Sequence, residues 1–187
     1  WIMAFEHHTL LTQPTQFLNT NIFYPHPQTL LYSETLLLPS LLLLPIRLFT
    51  DSPLLTHNVL VLMGFTLTGT TGYLLGRWLF HEHWSAMVVG SVLAFNSFTL
   101  SNMGQAQLLH LVWLPMAFLY MAKLLRKPDV RRALMMALFL AAQFYSVIYY
   151  GIFAFLAIRH FELTRKNTYN HQFKSYSIIN ITTNIYS

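Results

Sequence analysis

Apolar residues in this chain run in long blocks rather than in strict alternation, and about five of those blocks are long enough to compete for a lipid bilayer. The clearest is Asn58 to Arg77, uncharged until its last residue and preceded by a helix-start cluster at Asp51-Ser52-Pro53. Ser85 to Phe98 predicts a return span. A polar but uncharged link follows through Ser101, Asn102, Gly104, Gln105 and Gln107, and Leu108 to Lys123 predicts a third crossing. Ala133 to Ile158 reads either as one tilted helix or as two short ones broken near Ser146. The broken form is preferred, because a hairpin tip at Tyr145 to Tyr150 returns Arg159, Arg165 and Lys166 to the side of the other basic loops. Leu30 to Phe49 is interrupted by Glu34, Pro39, Pro45 and Arg47. A carboxylate and two prolines are costly in a lipid-facing helix, so this block is expected to be broken, interfacial or re-entrant and packed on protein. Its alternative, a true span, places the opening segment on the other side.

Charge orients these blocks. Lys and Arg concentrate around Arg77, in Lys123 to Arg132 and in Arg159 to Lys166, while Trp1 to Thr29 has none. Cytoplasmic loops retain cations, so residues 1–56 are expected on the non-cytoplasmic face. With 55% hydrophobic and 9% charged residues the chain has too little charge to cover a water-exposed surface. The fold class expected is all-α: a polytopic transmembrane helix bundle with an external loop and interfacial or re-entrant helices. Its expected division is an external loop with a juxtamembrane or re-entrant segment over 1–56, transmembrane helices over 57–163, and a polar tail over 164–187. The net charge of +5 does not point to nucleic acid, since the cations sit at helix ends and suit topology and membrane-lipid headgroups. Cysteine is absent, which excludes disulfides, zinc thiolates and a thiol nucleophile.

The densest polar text is Gln13-Pro14 through Asn19, Asn21, Phe23, Tyr24, Pro25, His26 and Pro27, followed by Tyr32-Ser33-Glu34. Prolines at 14, 25 and 27 disfavour helix and hold amides, phenols and a carboxylate beside the membrane. Such a surface suits a polyol, with aromatic faces for sugar rings and Glu34 for general-base work; a loop that caps the next helix has the same composition. Glu6 beside His7 and His8 reads as a solvated acid or, less simply, as part of a metal site. Asp51 reads as a helix cap.

The run Asn21-Ile22-Phe23-Tyr24-Pro25, then Leu31-Tyr32-Ser33-Glu34, Pro45, the Asn58-led span and Trp113-Leu114-Pro115 resembles the amino-terminal half of GT-C superfamily membrane glycosyltransferases over about Trp1 to Phe161. That resemblance implies a membrane helix upstream of Trp1, a large first external loop with carboxylate chemistry and a polyprenyl-phosphate-linked sugar donor. Glu34 then becomes the catalytic candidate, with Asn21, Tyr24 and Tyr32 positioning substrate. The departing phosphate needs Arg47, a divalent cation or residues outside this chain. Relatives are expected to carry a His near the start of the fourth helix. Here Gln105 and Gln107 stand there with His110 a turn later, and these three complete the substrate-binding candidates. The competing reading is a non-enzymatic lipid or sugar transporter or an assembly subunit.

Other features are bland. His81-Glu82-His83 lacks the two-turn spacing of a helical zinc site and falls in a cytoplasmic loop. Gly69, Gly72 and Gly76 share one helix face and predict close helix packing. Gln143, Tyr145, Tyr149 and Tyr150 read as interface aromatics or as cleft lining. An opening at Trp1 without a charged, then apolar, leader predicts sequence upstream, and the Leu-free stretch from Asn167 to Ser187 predicts a flexible or foreign tail. No phosphate-binding glycine loop, dinucleotide fingerprint or nucleophile elbow is present, which argues against a soluble nucleotide-sugar enzyme and against an ATP-driven pump.

Overall fold

The structure, a computed structural model, describes residues 2–20, 22–23, 25–32, 36–50, 52–161 and 164, without the side chains of 106 and 107. Among the described residues every regular element is helical: α1 (Ile2–Thr12), α2 (Leu37–Arg47), α3 (Pro53–Phe80), α4 (His83–Ala94), α5 (Ser97–Ser101), α6 (Trp113–Arg126) and α7 (Val130–Ser146), joined by short 3₁₀ turns. An eighth helix, α8, covers Ile148–Phe161. The chain divides into two compact units, Trp1–Gly151 and Ile152–Ser187. In the second, the described residues continue α8, and Thr164 Oγ1 donates to the His160 carbonyl at 2.9 Å.

The opening residues form a helix. No Pro or Gly stands between Ile2 and Thr12, and the breaker arrives at Pro14, which starts a 3₁₀ turn. Met3 packs on the Leu43 and Leu60 core, while Glu6 and His7 reach Ser40. These contacts make α1 and α2 antiparallel. At 11 residues α2 rises only about 16 Å, which removes the true span, since a bilayer core needs about 30 Å. Pro45 sits inside α2, and beyond it Leu48 and Phe49 are exposed.

α3 outruns its expected bounds at both ends. Ser52 Oγ accepts from the Leu55 amide at 3.3 Å and Pro53 occupies the first turn, so the helix starts before Asn58. His81, at φ 59°, ends it in a left-handed cap. The buried positions Thr56, Leu60, Gly64, Thr68, Gly72 and Gly76 repeat every fourth residue. Leu60 packs on Leu43 of α2 and Gly64 on Leu109, while Gly69, Gly72 and Gly76 meet the similarly spaced Ala86, Gly90 and Ala94 of α4. A Cβ on Gly90 would stand 2.6 Å from the Gly69 carbonyl oxygen, and one on Gly76 3.0 Å from Ala86 Cα. Glycine at these steps lets the two backbones touch, as the Gly69, Gly72 and Gly76 pattern foretold.

Two runs, Pro53–Phe80 and His83–Ser101, are long and apolar enough to cross a membrane, and only 28% and 22% of their apolar windows are buried. The second bends at Phe95, where Asn96 Oδ1 restarts the helix by accepting from the Thr99 amide at 2.9 Å. Ala133 to Ile158 is broken as preferred, at Val147 (φ −152°, ψ 108°), and Gly151 lies against the Phe144 ring. At the other end of α7, Arg132 donates to the carbonyls of Lys123 and Lys127 at 3.0 and 2.8 Å. The Arg126 guanidinium lies 4.2 Å from the centre of the Trp78 ring. The basic stretches at Arg77 and at Lys123 to Arg132 therefore occupy one end of the molecule.

Candidate functional site

The residues singled out from sequence fall in three places rather than one. Asn21, Tyr24, Glu34 and Asp51 lie outside the described residues, as does the tail from Arg165 onward. Tyr32 is 65% exposed ahead of α2, with its ring 6.1 Å from that of Phe23. Arg47 sits in the last turn of α2, one helix length of about 15 Å beyond Leu37. Gln105 is exposed in the link after α5, while His110 is 2% exposed in the interior; Gln107's side chain is outside the described set.

Around His110 the structure forms a latch. Gln143 Nε2 donates to the His110 carbonyl at 2.9 Å, Trp113 Nε1 to Ser146 Oγ at 2.8 Å, and Tyr150 Oη to the Leu108 carbonyl at 3.1 Å. These bonds tie the start of α6 to the α7–α8 break, which accounts for the burial of Gln143 and Ser146. Tyr145 and Tyr149 remain exposed. His110 Nε2 and Gln143 Oε1 are buried without hydrogen-bond partners.

Arg47 lines a small cavity of about 60 Å³ where α1, the end of α2 and the start of α3 meet. Met3, Ala4 and His7 line it from α1, and Pro53, Thr56 and His57 from α3. The Arg47 guanidinium donates to the Thr50 carbonyl at 2.9 Å, and the start of α3 lies beside it, among described lining residues that include two imidazoles and no acid.

Behind this pocket lies a pair whose burial the sequence did not reveal. Glu6 and His7 are 0% and 1% exposed, so the expected solvated acid is in fact enclosed. Ser40 Oγ donates to Glu6 Oε2, and His7 Nε2 lies 2.7 Å from the Ser40 carbonyl. A carbonyl can only accept, so Nε2 carries the proton and Nδ1 is left as the buried, unpartnered nitrogen. Burial pushes the Glu6 carboxyl above its ordinary range, with the Ser40 hydroxyl and the Leu36 backbone pulling the other way. His8, by contrast, is exposed. Among the described residues no group of three His, Asp or Glu is placed to hold a metal ion, so the Glu6, His7 and His8 run does not assemble one.

The only sequence signal for this pair was the Glu6-His7-His8 text itself. Its partner stands 34 residues away in a Leu-rich run, and no spacing rule connects the two. Compared with family models, with curated proteins and with solved structures, the chain gave no match.

Proposed function

We propose that this chain is a helical membrane protein that transfers a sugar from a polyprenyl-phosphate-linked donor to an acceptor on the non-cytoplasmic face. Membrane placement is supported by α3 and by the run from α4 to α5, whose apolar side chains such as Leu62, Leu74, Val88 and Val92 are exposed. In a soluble fold helices this apolar would be mostly buried. Orientation is supported by the clustering of Arg77, Lys123, Arg126 and Arg132 at one end.

The observation that carries the substrate class is the pocket of Arg47, His7 and His57 at the opposite end of α3. When the bond between the anomeric carbon and the phosphate oxygen breaks, negative charge grows on the leaving phosphate, and a guanidinium beside a helix start offsets it. The acceptor hydroxyl attacks the anomeric carbon and gives its proton to a carboxylate. Glu34 is our candidate for that base, with Asn21, Tyr24 and Tyr32 about the sugar and Gln105, Gln107 and His110 serving the helix end across the link. Glu6 is too enclosed to receive a substrate proton directly and positions His7 through Ser40.

The chain in vesicles containing a fluorescent polyprenyl-phosphate sugar and a hydroxyl-bearing acceptor tests this reading. Arg47→Gln is expected to cut transfer at least tenfold while the protein stays folded. Unchanged transfer in that variant, or no transfer by the parent chain, rejects it. A second reading, a non-enzymatic transporter or assembly subunit, is favoured by the bonding of both Glu6 and His7 to Ser40, which gives them a structural use without catalysis. It predicts donor binding or partner assembly without turnover.

A further inference from the structure

The α3–α4 hairpin carries a second cavity, on its outer face. About 380 Å³ in volume, it falls within the range of about 300–1,000 Å³ common for small-ligand sites. Phe65, Thr66, Gly69, Thr70 and Tyr73 form one wall, and Met87, Gly90, Ser91 and Phe95 the other. The floor is backbone in contact with backbone, because Gly69 and Gly90 let the helices touch.

Aromatic pairs bridge the two helices at both ends of this groove. Phe65 and Phe95 stack with ring centres 5.3 Å apart and planes 12° from parallel. At the other end Tyr73 and His83 stack at 6.3 Å, with Tyr73 Oη 2.7 Å from His83 Nδ1. A packed helix needs a groove open at both ends to continue along it. A groove bounded at both ends and open along its side instead suits a flexible chain that enters laterally. Two of the hydroxyls along it are occupied: Thr66 and Thr70 bond back to the carbonyls of Leu62 and Thr66 at 2.8 and 2.7 Å.

Polarity along the groove is graded. The Phe65–Phe95 end is hydrocarbon alone, while the Tyr73–His83 end has a phenol and an imidazole and lies one turn before Arg77, on the same helix face. Arg77 is in the last turn of α3, at the basic end of the molecule, where a long cationic side chain reaches the headgroup level. We infer that the α3–α4 groove binds one acyl chain of an anionic glycerophospholipid, its phosphate held by Arg77 and the Tyr73–His83 pair. This site needs α3 and α4 to be in a membrane but does not depend on sugar transfer.

Photo-crosslinking tests it. The full chain is reconstituted in vesicles of phosphatidylcholine and phosphatidylglycerol, with an acyl-chain diazirine on one lipid or the other, and labelled residues are mapped by mass spectrometry. Label from phosphatidylglycerol is expected to concentrate on the groove residues Phe65, Thr66, Thr70, Met87, Ser91 and Phe95, and to fall about tenfold when Ser91→Trp fills the groove. Thr70→Trp, on the opposite wall, is expected to do the same, which guards against one variant misfolding. Arg77→Gln is expected to remove the preference for phosphatidylglycerol over phosphatidylcholine. Label spread equally over Leu62, Leu74, Val88 and Val92, or left unchanged by both tryptophans, overturns the site. Equal labelling by the two lipids in the parent chain overturns the headgroup assignment.

Discussion

The α1–α2 pair and the α3–α4 hairpin each join two antiparallel helices, and they are held by opposite means. Between α3 and α4 the seam is built from what is missing: side chains at Gly69, Gly72, Gly76 and Gly90 are reduced to hydrogen so that backbones touch. Between α1 and α2 the join is a buried carboxylate and an imidazole sharing one serine. In a lipid environment apolar side chains gain nothing by leaving the solvent, so close approach through small residues does the work. The enclosed Glu6 has one side-chain donor, Ser40 Oγ on Oε2, and none on Oε1, so the join is directional and sensitive to single-atom changes.

The comparison breaks most readily at Gly90. Gly90→Leu forces α3 and α4 apart, because even a first methyl lies 2.6 Å from the Gly69 carbonyl. A loss of at least 1–3 kcal/mol is expected, read as a fall in unfolding temperature in detergent. Gly104→Ala, with nothing within 4 Å of the added carbon, is the matched control and is expected within about 0.5 kcal/mol of the parent. Equal stability of the two variants would mean the glycine seam is not what holds the hairpin.

An effect of similar size is expected at the polar join, and it depends on pH. Ser40→Ala removes the donor to Glu6 Oε2 and should cost about 1–3 kcal/mol. The sign with pH follows from burial. Folded Glu6 holds its proton above the ordinary 4.5 of the unfolded chain, so the folded state binds more protons there and stability falls as pH rises from 4.5 through the raised folded value. Glu6→Gln should flatten that part of the stability profile, measured by thermal unfolding across mildly acidic to neutral pH. A profile in the variant that still falls with the parent's slope would place the titration elsewhere.

The same contrast separates what was legible in the sequence from what was not. The glycine face of α3 was readable because its partners recur at three- and four-residue steps, and the start of α3 because Ser52-Pro53 is a local cap. The break near Ser146 was readable from charge, since a single span would have stranded Arg159. Gly90 was not noticed because one glycine in an apolar run has no periodic companion. Helix α1 was hidden by the prolines that follow it, which shaped the reading of the whole opening segment although the first stands at 14. Burial of Glu6 and His7 was invisible because it is created by Ser40, 34 and 33 residues away. Of the site candidates, Arg47 is placed in a pocket with two residues, His7 and His57, that composition alone gave no reason to join to it.

The claim on which the rest depends is that α3 carries the chain across a membrane, with the Arg47 pocket and the basic end on opposite sides. Because the chain has no cysteine, one can be added at each end without background. Gln13→Cys and Lys127→Cys, both at exposed positions, are treated in intact cells with a membrane-impermeant maleimide. The account predicts that Gln13→Cys is labelled directly and Lys127→Cys only after the membrane is opened. Labelling of both from the same side, or of Lys127→Cys alone from outside, contradicts it.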